Sequence, residues 1–158
     1  MKRTARDILR DKRDNMLTVD MEATVHQAVT LMTQQRVGAI LIVDAGRIVG
    51  IWTERDLLHR TVDPHFDPRT EKVSQSMTRA LISAHLDEQV MQLYDKFVGR
   101  RIRHLLIEDG GEYVGLLSAG DVMRATLQQS ADEYRALNEM VSLEYYENWK
   151  AQQAEALR

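Results

Sequence analysis

The chain repeats itself at an offset of 65 residues, and the repeat needs no gap. Gly50 falls on Gly115, Val49 on Val114, Gly46 on Gly111, Asp44 on Asp109, Ile42 on Ile107, Leu41 on Leu106 and Arg36 on Arg101. Further back, Val25, Ala28, Val29 and Met32 fall on Val90, Leu93, Tyr94 and Phe97. Both sets keep the i, i+3, i+4, i+7 spacing of an amphipathic helix. A register held this long marks an internal duplication, so whatever one half folds into, the other folds into as well.

Each half reads as β-α-β-β-α. A short extended piece (Met16 to Val19; Leu81 to Ala84) leads into the amphipathic helix, over about 23–35 and 88–100. A buried strand follows (Val37 to Val43; Ile102 to Ile107), and then a turn with the glycine and aspartate chemistry of a hairpin (Asp44-Ala45-Gly46; Asp109-Gly110-Gly111). The second strand (Ile48 to Trp52; Tyr113 to Leu117) places Trp52 and its counterpart Leu117 in the core, and a second helix begins after it. One unit of ~60 residues buries too little surface to be comfortable alone. The expected fold is therefore α/β in class, of the α+β kind: two tandem repeats packed with pseudo-two-fold symmetry, plus a C-terminal helical tail. The expected division is 1–62 for the first repeat, 63–70 for a linker holding Pro64 and Pro68, 71–126 for the second repeat and 127–158 for the tail. In the tail Tyr134, Leu137, Val141, Tyr145 and Trp149 recur every three or four residues as one apolar stripe.

Several function classes drop out on composition. With 44% hydrophobic and 28% charged residues the chain can form a core, so it is not of the disordered class. A net charge of -3 gives no general attraction to nucleic acid or to an anionic membrane. The absence of cysteine excludes disulfides, thiol catalysis and thiolate metal sites, and suits the reducing cytoplasm, which is the expected location. The N-terminal MKRTARDILRDKRD lacks the apolar region of a secretory signal, and no stretch reaches the ~20 apolar residues of a membrane helix. His26, His59, His65, His85 and His104 show no metal-ligand spacing. No phosphate loop and no nucleophile elbow occur, so no enzyme and no metal are expected.

What remains is the pair of tetrapeptides that end the second strands, Thr53-Glu54-Arg55-Asp56 and Ser118-Ala119-Gly120-Asp121. A hydroxyl followed three residues later by an acid is a capping box: the hydroxyl accepts a first-turn N–H and the carboxylate reaches back. The same geometry can hold a ligand. A helix N-terminus attracts an anion, and a carboxylate can accept both O–H groups of a ribose cis-diol. The two readings are compatible, because a cap places these groups where a ligand could meet them.

The duplicated segments VGAILIVDAGRIVGIWTERDL and IRHLLIEDGGEYVGLLSAGDV resemble a pair of CBS domains, the Bateman module, over roughly residues 4 to 125. The resemblance implies a regulatory module that binds adenosine-containing ligands in clefts between the repeats and often dimerises through them. It makes Asp56 and Asp121 the ribose candidates and Thr53 and Ser118 the phosphate-side candidates. It also implies that a basic strand of the type Arg-x-Arg-His lies by the phosphates, which here is Arg101-Ile102-Arg103-His104. The other repeat has Gly38 and Ala39 where this one has Arg103 and His104, and small residues let a flat base approach the backbone. Phosphate contacts are accordingly expected from Arg103 and His104. Arg101 is the weakest member, because its counterpart Arg36 points to a shared structural role. Against this, a basic cluster can be a solvated face, with Arg103 paired to Glu108 or Asp109. The adenine is expected near Thr18, Val19, Ser83, Ala84, Val37 and Ile102, which also read as plain core. Family members often carry Leu-Pro-Val in the strand, where this chain has Ile40-Leu41-Ile42 and Leu105-Leu106-Ile107.

The expected protein is thus a stand-alone CBS pair that forms a homodimer through its repeats, with no required cofactor, regulated by an adenine nucleotide (AMP or ATP first, NAD or S-adenosylmethionine next). The competing expectation is a ligand-free interaction module acting through the tail helix on an effector protein.

Overall fold

The computed structural model describes residues 2–12 and 16–156; within α5 (defined below) the side chains of 144, 145, 147, 148 and 150–156 are left out, so Tyr145 of the tail stripe lies outside the described side chains. Two three-stranded sheets carry the fold. In the first, β1 (Thr18–Asp20) pairs parallel with β2 (Ala39–Asp44), and β2 pairs antiparallel with β3 (Arg47–Thr53). In the second, β4 (Ser83–His85), β5 (His104–Asp109) and β6 (Glu112–Ser118) repeat that arrangement. Even the ladder irregularities correspond, between Ile42 and Val43 and between Ile107 and Glu108. The hairpins turn through two residues with positive φ in each copy, Ala45 and Gly46, then Gly110 and Gly111. That is the backbone a two-residue hairpin needs.

The helices are α1 (Ala5–Lys12), α2 (Val25–Gln35), α3 (Glu54–Arg60), α4 (Val90–Arg100) and α5 (Ala119–Ala156), with a 3-10 turn at Val73–Gln75. Each sheet buries one face under its own helices. Val25, Ala28 and Met32 of α2 pack with Ile40, Ile42 and Trp52, and Val90, Leu93 and Phe97 of α4 pack with Leu105, Ile107 and Leu117. Leu41 and Leu106 alternate to the opposite faces of their strands and are buried as well, so the central strands are covered on both faces. This explains why the central strands read as unbroken apolar runs.

Three features depart from the sequence expectation. The central strands begin at Ala39 and His104, two residues later than expected. The cause is a left-handed residue at the end of the preceding helix, Arg36 (φ 55) and Arg101 (φ 51), which turns the chain before pairing can start. Val37, Gly38, Ile102 and Arg103 are left as connections at the sheet's end. The second departure is α1, an element outside the β-α-β-β-α reading. It packs on the second repeat, with Ala5 and Ile8 in that core, while Val73 and Met77 from the stretch before β4 fill the first. The N–H of Ala5 donates to Glu88 O and that of Val90 to Arg3 O; on the other side the N–H of Val25 donates to Glu71 O and that of Val73 to Ala23 O, all at 2.9 Å. Each core is completed by the segment that precedes the other repeat. The third departure is that the tail is no separate element. No Gly or Pro follows Gly120, so the last helix of the second repeat runs on for 38 residues. From residue 130 to residue 143 every side chain on it is exposed.

Candidate functional site

The two tetrapeptides are built alike. Thr53 donates its N–H and its hydroxyl to Asp56 Oδ2, both at 2.8 Å. Ser118 does the same to Asp121 Oδ2, at 2.8 and 2.7 Å, and its hydroxyl oxygen also accepts the Asp121 N–H at 3.2 Å. Both are formed capping boxes. Their surroundings differ. Asp56 is half-buried, whereas Asp121 is 8% exposed and is the buried charged residue of the core. Asp121 Oδ2 also accepts from Lys12 Nζ at 3.1 Å, and Oδ1 accepts from Arg124. Burial pushes the Asp121 carboxyl up, but the Ser118 N–H and hydroxyl and the Lys12 ammonium outweigh it and hold it below the usual carboxylate value.

Asp121 sits on the wall of a cleft of about 600 Å³. The cleft is composite. Its apolar side comes from the first repeat and the residues before it: Met16, Leu17, Val37, Gly38 and Ala39, with Gln35 and Arg36 at the edge. Its polar side comes from the second repeat and α1: Lys12, His104, Ser118 and Asp121, with Leu116. Of the sequence candidates, the structure brings together Val37, Gly38, Ala39, His104, Ser118 and Asp121. The small residues that would admit a flat base therefore face the tetrapeptide of the other repeat. Burial, then the charge of Lys12, and also Arg103, hold the His104 imidazole below its ordinary value; Glu54 and Asp121 pull the other way without cancelling this. His104 is neutral near pH 7 and can donate or accept.

The remaining candidates lie elsewhere. Arg103 precedes β5 and reaches across to Glu54 on α3, 3.7 Å away, with both side chains well exposed. The expected pairing with Glu108 or Asp109 is not the one made. Those acids stand at the far end of β5 from Arg103, and Glu108 instead accepts the Ser83 hydroxyl at 3.2 Å. Adjacent on the chain, Arg103 and His104 thus face different surroundings. Arg101 is a left-handed helix cap like Arg36. Ile102 packs on the second core, and Thr18 is an exposed residue of β1 paired with Leu41. Thr53 and Asp56 line the α3 side rather than this cleft.

Lys12 is the residue that sequence reasoning passed over. A signal existed: Ala5, Ile8, Leu9 and Lys12 have the i, i+3, i+4, i+7 spacing of a packed helix face, hidden in a charge-rich terminus. Among the described residues no group of His, Asp and Glu is placed to hold a metal ion, and no helix is long and apolar enough to cross a membrane.

The profile of the CBS domain family matches residues 4–63 and 72–128. The chain belongs to the CBS-domain family. Among its CBS relatives, the mitochondrial CBS domain-containing protein CBSX3 of Arabidopsis thaliana is 36% identical over 121 residues, which are 73% of this chain and 58% of that protein. The chain thus spans less than two thirds of that relative's length. The crystal structure of the CBS-domain containing protein ATU1752 from Agrobacterium tumefaciens superposes with a TM-score of 0.75 at 29% identity, covering 80% of this chain and 95% of the other. The CBS domain protein PAE2072 from Pyrobaculum aerophilum, complexed with AMP, superposes with a TM-score of 0.66 over 75% of this chain and 89% of the other, and at 22% identity the likeness is one of fold. A CBS pair is a regulatory module, and the duplicated architecture described above is that of the pair.

Proposed function

We propose that this CBS pair is a regulatory module that senses an adenosine-containing nucleotide in the composite cleft, with AMP or ATP as the first candidates and NAD or S-adenosylmethionine next. One observation carries the reading: a cleft of about 600 Å³ sets an apolar side at Val37, Gly38 and Ala39 opposite a hydroxyl–carboxylate pair, an imidazole and an ammonium. The volume suits small-molecule sites, which run about 300–1,000 Å³. A base would lie on Gly38, Ala39 and Val37, a ribose diol against Asp121, and phosphate toward Ser118, His104 and the N-terminus of α5. The AMP complex of PAE2072 supports the reading to the extent that the same fold accommodates such a ligand. Thr53, Asp56 and Arg103 would serve a second, related site on the α3 side, where Glu54 competes for Arg103. The role is non-catalytic, and the division 1–62, 63–70, 71–126 and 127–158 is one of role, since α5 crosses the last boundary without a break.

Isothermal titration with AMP, ATP, NAD and S-adenosylmethionine tests this. We expect saturable binding that weakens about ten-fold or more in Asp121→Ala, the size of a lost charge-assisted pair of hydrogen bonds. Absence of binding at millimolar concentration rejects the reading.

A second reading rests on α5. Tyr134, Leu137, Met140, Val141 and Leu143 are all well exposed on it. If no nucleotide binds, the chain is an interaction module whose homodimer or effector contact is made by this helix.

A further inference from the structure

Lys12 enters the cleft from α1, ahead of the β-α-β-β-α unit of the first repeat. Its ammonium lies 3.1 Å from Leu116 O and 3.1 Å from Asp121 Oδ2. Leu116 corresponds to Ile51 in the first repeat, and there the carbonyl is met by the backbone N–H of Thr78 at 2.9 Å. A side chain therefore stands where the other repeat uses the main chain. A backbone donor is fixed in place; an ammonium on a flexible four-carbon stem can leave.

Asp121 gives it a reason to leave. Oδ2 already accepts the Ser118 N–H, the Ser118 hydroxyl and Lys12, and Oδ1 accepts from Arg124. An ionised carboxylate offers about two acceptor positions on each oxygen, so Oδ2 is fully engaged and about one position is left on Oδ1, one fewer than the two O–H groups of a diol need. A ribose cis-diol brings two further O–H donors, and one of the present donors has to give way. The Ser118 donors belong to the helix cap. Arg124 lies on the far side of Asp121, where it lines an adjoining hollow of about 320 Å³ rather than the cleft. Lys12 lines both, and it is the mobile donor on the ligand's side.

We infer that Lys12 joins Ser118 and His104 as a phosphate receptor of this cleft, and that it takes up that role by exchanging Asp121 for the nucleotide when the ribose diol occupies the carboxylate. This rests on the adenosine reading above. It adds the residue that discriminates nucleotide from nucleoside, and it makes the end of α1 respond to the ligand. The exchange keeps charge paired throughout: the ammonium passes from one anion to another and is never left in the cleft without a partner.

The experiment compares AMP with adenosine by calorimetric titration of the full chain, as wild type, Lys12→Gln and Lys12→Arg, with thermal melts of each. We expect wild type to prefer AMP. In Lys12→Gln the AMP affinity should fall about ten-fold or more while adenosine binds as well as before or better, because Asp121 has one donor fewer to displace. Lys12→Arg should keep the preference for AMP. Equal loss of AMP and adenosine in Lys12→Gln, or an AMP preference that survives it, overturns the inference while leaving the adenosine reading intact. If wild type binds neither compound, the adenosine reading fails and this inference fails with it. If Lys12→Gln does not fold, the Lys12 Cε resonance of wild type, assigned by its absence from Lys12→Arg, decides: it must shift with AMP more than with adenosine, and an equal shift overturns the inference.

Discussion

His104 shows how much of this site's behaviour is set by its neighbours. It lines the cleft together with Ala39 and Leu116, and the charges acting on it are those of Lys12 from α1, Glu54 from α3, Arg103 beside it and Asp121 from α5. Burial and Lys12 keep its folded-state value below the ordinary 6.5. The unfolded chain therefore binds more protons at this residue as pH falls through 6.5 toward the lowered folded value. Stability should decline over that window and level off below it. Asp121, held low, adds a second loss at more acidic pH, as its carboxylate is finally protonated. A phosphate beside His104 reverses the first effect, since it favours the imidazolium. AMP binding should tighten as pH drops below neutral, whereas adenosine binding should not. Titrations at several pH values on wild type and His104→Gln check this, and an AMP affinity with the same pH slope in both proteins would remove His104 from the phosphate side.

At the scale of elements, α1 and its counterpart segment are held by close approach to glycine. A Cβ at Gly115 would lie 2.5 Å from both Leu9 methyl carbons, and one at Gly50 would lie 2.4 Å from Met77 Sδ. Methionine can bend away, but the branched end of Leu9 has to move as a whole. Gly115→Ala should therefore cost about 1–3 kcal/mol and loosen α1, whereas Gly50→Ala should cost less. Chemical denaturation, with hydrogen exchange over residues 5–12, distinguishes the two. The elements that were legible in the sequence are those whose partners are local. β2 and β5 announced themselves as unbroken apolar runs, and α2 and α4 by their spacing. α1 was illegible because its apolar face is narrow and its partner repeat lies some eighty positions away. The strand starts were missed because the left-handed caps are arginines rather than the glycine or asparagine that usually marks them. The cleft was readable only as two halves. The sequence shows Gly38 and Ser118–Asp121 as separate oddities, and it takes the placing of repeat beside repeat to set one against the other.

Over the whole molecule, the exchanged segments tie the repeats into one folding unit, and α5 is the part that leaves it. It packs against α4, α1 and β6, and the buried residues among its described side chains, Asp121, Val122 and Ala125, lie toward its beginning. We expect nucleotide to slow hydrogen exchange in α5 from Ala119 outward through Leu143, because the ligand binds against its first turn. Protection that changes in the first turns and stops there would mean that the helix does not carry the signal.

The 38 residues of α5 span about 57 Å at 1.5 Å per residue, with Asp121 near one end. If the cleft binds its ligand as proposed, such a rod would act as a lever whose short arm lies in the cleft. A tilt of about 5° at its base carries the far end through about 5 Å. An adjustment at Asp121 too small to break a hydrogen bond would then become, at the tip, a shift as wide as one strand is from the next.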